Sequence, residues 1–300
     1  FAKEVAAIGG TMDYGPLSGP IYALKPSFTN ISLDGCTVDD AWLARHRAAL
    51  GRLPGQLSLQ IKDAPVDDAA LVHLIGLDLL GLSLDSTPIT NEGLQHLANI
   101  EALQALILHR TEVTDAGLAS LQQLPNLRTL GLDSTQLTDA GLSRLTQFNR
   151  LDGLLLCNTP ITDHGLAQLQ EMPRLRTLAL GGPRITDATI AVVGQLRGLD
   201  FLQLRDTQIT DGALKHLKPL PLHTLLLEST KVTDAALPDL AQFGRLESLQ
   251  LTSARITDAG LQQLKGMAKL RWLNLRGTDV TPAGAAALEK ALPSCKVTID

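Results

Sequence analysis

Residues 127–150, LRTLGLDSTQLTDAGLSRLTQFNR, set the pattern for the chain. Leu127 has counterparts at Leu103, Leu151, Leu175, Leu199, Leu222, Leu246 and Leu270, at intervals of 24 residues with one of 23 between Leu199 and Leu222. A fixed period of this size predicts a solenoid, in which each unit buries its apolar face only against its neighbours. Within the unit, Leu127, Leu130 and Leu132 alternate with Thr129, Gly131 and Asp133 as a short half-buried strand does.

Thr135 follows at the turn, where its hydroxyl can satisfy backbone groups. It recurs as Thr87, Thr111, Thr159, Thr207, Thr230 and Thr278, with breaks at Pro183 and Ala254. Next comes T-D-A-G-L, in which Thr138 or Asp139 is a natural helix N-cap and Asp139 suits the positive end of the helix dipole. Leu142, Leu145 and Phe148, three apart, give that short helix one apolar face. Thr-Asp recurs at 114–115, 162–163, 186–187, 210–211, 233–234 and 257–258, so helix capping accounts for these carboxylates better than catalysis or calcium ligation. Parallel strands stack about 4.8 Å apart whereas packed helices need about 8–10 Å. The expected fold is therefore α/β: a curved, horseshoe-like solenoid with a parallel sheet on its concave face and short helices on its convex face.

Residues 1–27 depart from the period. AKEVAAIGG reads as a short helix ended by Gly9 and Gly10, and Thr11–Tyr14 with Pro20–Leu24 as a hairpin, together an N-terminal cap. Repeats then span 28–293, starting with irregular units built on Ile31, Leu33, Val38 and Trp42, then Leu59, Ile61, Val66 and Leu71, then Leu82, Leu84, Ile89 and Leu94. A helix from Pro282 to about Leu292 and a closing strand within 294–300, carrying Val297 and Ile299, complete a single domain.

The unit TDAGLxxLxxLxxLxxLxLxxT, the entry ending in AAIGG and the closing ALPSCKV resemble the bacterial leucine-rich repeat proteins abundant in planctomycetes. That resemblance covers nearly the whole chain and implies a leucine-rich-repeat binding module, often exported or envelope-associated. ITDAGL is also similar to repeats of eukaryotic F-box substrate receptors, but the cysteines of those repeats are missing and residues 1–30 contain nothing like an F-box.

Net charge is −5 with no basic run, so nucleic-acid binding has no support, and no apolar stretch approaches the roughly 20 residues that span a bilayer. Cys36, Cys157 and Cys295 lie in units too far apart to bridge, which is compatible with a reducing compartment as well as with export. His73, His96 and His216 share a helix position without an acidic or cysteine cluster, so no metal or other cofactor is expected. No catalytic signature is present. Arg128, Asp152, Arg176, Asp200, His223, Glu247 and Arg271, each following its register leucine, predict an edge of mostly alternating charge that supports register.

The site candidate is the concave face. Gly131, Gly153, Leu155, Ala179 and Gly181 suggest a shallow floor that lets a partner approach the backbone, with Ile107 and His109 beside it. Further on, Phe201, Leu226 and Trp272 stand among Gln203, Arg205, Glu228 and Arg276, the aromatic-plus-arginine make-up of an interface hot spot. The reading is a monomeric, non-enzymatic module for a protein or peptide partner. The alternatives are a structural or adhesive envelope protein and a substrate-recognition subunit of a larger enzyme complex.

Overall fold

The alternating leucines form one short strand per unit in the computed structural model, which describes residues 1–14 and 28–299. The chain separates into two compact bodies, Phe1–Leu155 and Leu156–Asp300. In the first, a helix at Ala2–Ala7 leads into β1 (Thr11–Tyr14), which pairs antiparallel with β2 (Phe28–Ser32). Pro20–Leu24, expected as the second hairpin strand, lies outside the described residues. From β2 onward the strands run parallel: β3 (Gln56–Lys62), β4 (Leu79–Asp85), β5 (Ala105–Ile107), β6 (Thr129–Gly131) and β7 (Gly153–Cys157). Ile31, Leu59, Leu82, Leu106, Leu130 and Leu154 sit side by side across them. In the second body β8 (Thr177–Gly181), β9 (Phe201–Arg205), β10 (Thr224–Glu228), β11 (Ser248–Gln250), β12 (Trp272–Asn274) and β13 (Lys296–Thr298) repeat the arrangement. Leu178, Leu202, Leu225, Leu249, Leu273 and Val297 align there. Apart from the half-buried Val297 these columns are buried, and each buried side chain contributes about 1.5–3 kcal/mol of apolar burial.

The turn threonines act as the sequence suggests. The hydroxyls of Thr87, Thr111, Thr135, Thr159 and Thr278 donate to the carbonyl three residues back, at 2.6–2.8 Å. Thr207 and Thr230 bury theirs without a partner. The residue before the turn threonine takes left-handed φ, as at Ser86 (56°), Ser134 (56°) and Asp206 (54°), a conformation that costs a non-glycine residue about 1 kcal/mol.

In six of the seven T-D pairs that precede helices, the threonine is the N-cap and the aspartate is the first helical residue; at Thr114–Asp115 the helix starts later, at Leu118. That aspartate reaches into the next unit. Asp115 accepts from the backbone N–H and the hydroxyl of Thr138, at 2.8 and 2.5 Å. Asp68 does the same to Thr90, Asp187 to Thr210, Asp211 to Thr233, Asp234 to Thr257 and Asp258 to Thr281. Asn91 replaces the carboxylate once: its oxygen accepts from the Thr114 N–H and its amide donates to the Thr114 hydroxyl. The Thr281 hydroxyl, with the backbone N–H second, holds the Asp258 carboxyl below its ordinary range. The caps at Thr90, Thr114, Thr138, Thr210, Thr233, Thr257 and Thr281 are thus satisfied by the preceding unit, which ties those helices at their starts, whereas the Thr186 N–H turns to Thr189 of its own helix.

The glycine of T-D-A-G-L makes room for this tie. A Cβ on Gly93, Gly141, Gly260 or Gly284 would collide with the carboxylate of Asp68, Asp115, Asp234 or Asp258. Where the place holds alanine (Ala70, Ala213, Ala236), the helix starts in the tighter 3-10 form, at Ala69–Leu74, Asp211–Leu217 and Asp234–Ala236. Where it holds Thr189, that hydroxyl itself donates to Asp163.

Candidate functional site

Side chains from one strand lie over small residues of the next, so the expected shallow floor is filled. A Cβ added to Gly131 would meet His109 Cε1 at 2.7 Å and Ile107 Cδ1 at 2.8 Å. Thr129 lies over Gly153, and the Cys157 Cβ and Sγ lie 3.1 Å from the place a Gly181 Cβ would take. Ile107 and Leu155 are buried, and so is Ala179. A partner meets these side chains rather than open backbone, which corrects the expectation of close backbone approach.

His109 is fixed in one protonation state by this packing. The Asp133 backbone N–H donates to its Nδ1 at 3.0 Å, which requires a neutral acceptor nitrogen. The Asp133 carboxylate stands 3.7 Å from the same nitrogen and would favour a charged ring. Burial outweighs it, so the ring's pKa is lowered, with Asp133 and Asp85 opposing and Arg110 assisting. As pH falls below the ordinary value of about 6.5, the unfolded chain takes up a proton that the folded ring refuses. The associated stability is therefore complete above that value and lost as pH falls from it toward the lower folded value. Chemical denaturation between pH 7.5 and 5.5 is expected to show a steeper loss in wild type than in His109→Gln; equal slopes would remove His109 from this role.

In the second body, Phe201 and Trp272 share the same column of the sheet, with Thr224 and Ser248 between them. Their burial differs sharply. Phe201 is 6% exposed and belongs to the core, which corrects its reading as an exposed anchor, whereas Trp272 is 57% exposed. Thr177 and Thr224 are the register neighbours of Phe201. Trp272 carries the Lys296 ammonium 5.5 Å from its ring centroid, a cation–π contact from the last strand. Gln203, Leu226, Gln250 and Asn274 form the adjoining half-buried column. Arg205 Nε sits 3.2 Å from Asp206 and 3.7 Å from Glu228, whose carboxylate also accepts from Gln250 at 3.4 Å. Arg276 is exposed at the end of β12, with its backbone N–H donating to Asn274. The structure thus brings together Gln203, Arg205, Leu226, Glu228, Trp272 and Arg276, and sets Phe201 beneath the surface.

The remaining reactive groups are quiet. All three cysteines are buried and outside any disulfide. Burial, with Glu289 assisting, pushes the Cys295 thiol up to about 11, and burial with Asp34 raises Cys36. His73 Nε2 bonds Asp40 at 3.0 Å. Among the described residues no group of three or more metal-ligating side chains gathers, and no helix is long and apolar enough to cross a membrane. Two pairs of the charged edge close, Arg128–Asp152 at 3.3 Å and Arg176–Asp200 at 3.6 Å, while His223, Glu247 and Arg271 form no ion pair among the described residues. Both pairs are exposed and worth about 0–1 kcal/mol each.

A family model described as Leucine Rich repeat matches residues 246–265. The fold is similar to that of an internalin, InlF, from Listeria monocytogenes, with a TM-score of 0.54, 20% identity, and coverage of 89% of this chain and 85% of that one. A second internalin of the same organism, internalin C2, gives a TM-score of 0.46 and 21% identity over 70% of this chain and 84% of its own. No curated protein matches the chain. The protein is built as an α/β leucine-rich-repeat solenoid.

Proposed function

We propose that this protein is a non-enzymatic recognition module that binds a protein or peptide partner on the strand face of its C-terminal body, centred on Trp272. One observation carries the reading: Trp272, at 57%, is the more exposed of the two large hydrophobic side chains that stand exposed among the described residues, Val72 being the other. Leaving a large indole in water forgoes the burial that Trp42, Phe148, Phe201 and Phe243 obtain. The surroundings suit a partner's polar rim, with Arg205, Glu228, Arg276 and the amides of Gln203, Gln250 and Asn274 flanking a half-buried Leu226.

Trp272→Ala is expected to weaken binding of the partner by about 30-fold or more, the loss of a 2 kcal/mol anchor. The test captures partners from lysate and envelope fractions of the source organism with wild type and the variant side by side, then measures the affinity of the recovered partner for both. A partner held equally well by the variant would move the site off this face. Phe201→Ala, by contrast, is expected to lower stability before it touches affinity.

A further inference from the structure

The one 23-residue interval coincides with an enlarged cleft. Leu196-Arg197-Gly198-Leu199 in one unit becomes Leu220-Pro221-Leu222 in the next, so the missing residue lies in the loop that leads from helix to strand. The sheet does not absorb it: β9 and β10 stay in register through five pairs, Phe201–Thr224 to Arg205–Glu228. The shortened loop lines a cleft of about 380 Å³, against about 250 Å³ for the equivalent cleft beside Pro125 and Phe148, where the interval is regular. Pro219 and Pro221 stiffen the floor and offer it no N–H donors. Gly244 on the far wall has open space where a side chain would stand.

Three cations surround the gap: Arg197 from the preceding loop, Lys218 from the floor and Arg245 from the following loop. Lys218 is neutralised by Asp239 at 2.8 Å. Among the described residues neither Arg197 nor Arg245 has a hydrogen-bonding or acidic side-chain partner, and both are exposed. A protein of net charge −5 thus presents two unanswered guanidinium groups to one small polar cleft. Guanidinium forks match oxyanions in bidentate geometry, and a phosphate monoester, at about −1.5 to −2, balances two of them where one carboxylate balances half. We infer that this cleft is a binding site for a phosphate monoester group, separate from the Trp272 face.

Two probes of similar charge and size test it by NMR titration of the whole chain at about 0.1 M salt: glycerol 3-phosphate and glutarate. The expected result is saturable binding of glycerol 3-phosphate, at least tenfold tighter than glutarate. Arg197→Gln with Arg245→Gln should weaken it at least tenfold while leaving the unfolding midpoint in place, since both side chains are exposed. Inserting one alanine between Leu220 and Pro221 restores the 24-residue interval with every cation retained, and should weaken binding by a similar factor. Trp272→Ala should leave it unchanged, so loss of the partner site and loss of this one are distinguishable. Absence of saturable binding by wild type, unchanged affinity in the double variant or in a folded insertion variant, or dependence on Trp272 would each overturn the assignment. Tighter binding of glutarate would overturn its phosphate specificity.

Discussion

Gly141→Val is expected to destabilise the protein by about 3–5 kcal/mol. A Cβ at this position collides with the Asp115 carboxylate and with Leu137 Cδ1, and the second methyl of valine removes any room for adjustment. Overpacking of this kind costs about 1–3 kcal/mol. Displacing Asp115 also breaks its two bonds to Thr138, and a bond to a charged acceptor is worth about 1.5–3 kcal/mol. The two terms are coupled, which makes a double-mutant cycle informative. Gly141→Ala and Asp115→Ala should each destabilise, and together they should cost less than their sum because the second removes the obstacle to the first. Denaturant midpoints of the four proteins measure this. Additive values would show that glycine is present here for a reason other than its neighbour's carboxylate.

Trp42→Ala should cost about 3–5 kcal/mol, the usual range for deleting a large buried aromatic. Trp42 lies on the helix Asp40–Leu50, 8% exposed, and stacks on His46 with ring centroids 4.2 Å apart. His46 Nδ1 in turn donates to the Trp42 carbonyl at 2.8 Å. The irregular first unit covers the apolar face that a solenoid's entry would otherwise expose, so the loss should be local. Amide exchange should accelerate in β2 to β4 and keep its wild-type rate in β10 to β12, because repeats couple through nearest neighbours. Uniform acceleration would indicate one cooperative unit, and a loss below about 1 kcal/mol would show that the site collapses around the cavity.

The fold was legible because its determinants are local and periodic. Leu127, Leu130 and Leu132 state their strand in three residues, and the turn hydroxyl of Thr135 performs the bond that its position suggests. Capping was legible only in half. Thr138 and Asp139 look equivalent within one unit, and the division of labour appears only when Asp115 is seen beside Thr138, 23 residues later. The glycine of T-D-A-G-L was the available signal, since nothing within its own helix calls for it. The site was less legible because exposure depends on neighbours. Phe201 and Trp272 occupy equivalent places, yet one ring is buried between threonine neighbours and the other is exposed beside Lys296 of the last strand. Likewise the floor residues Gly131 and Gly181 are small themselves but are covered by His109, Ile107 and Cys157 from the adjoining strand.

The aspartate–threonine tie makes each unit interchangeable in a genetic sense. A block that carries both an acceptor for the block ahead and a donor for the block behind can be duplicated or excised by recombination with its ties matched across the new junction. Arrays of this kind can lengthen or shorten by whole periods within a single mutational event. A change of one residue is a different class of event: at Pro221 it altered a loop, kept the strand register, and left a local irregularity that copying of other blocks cannot erase.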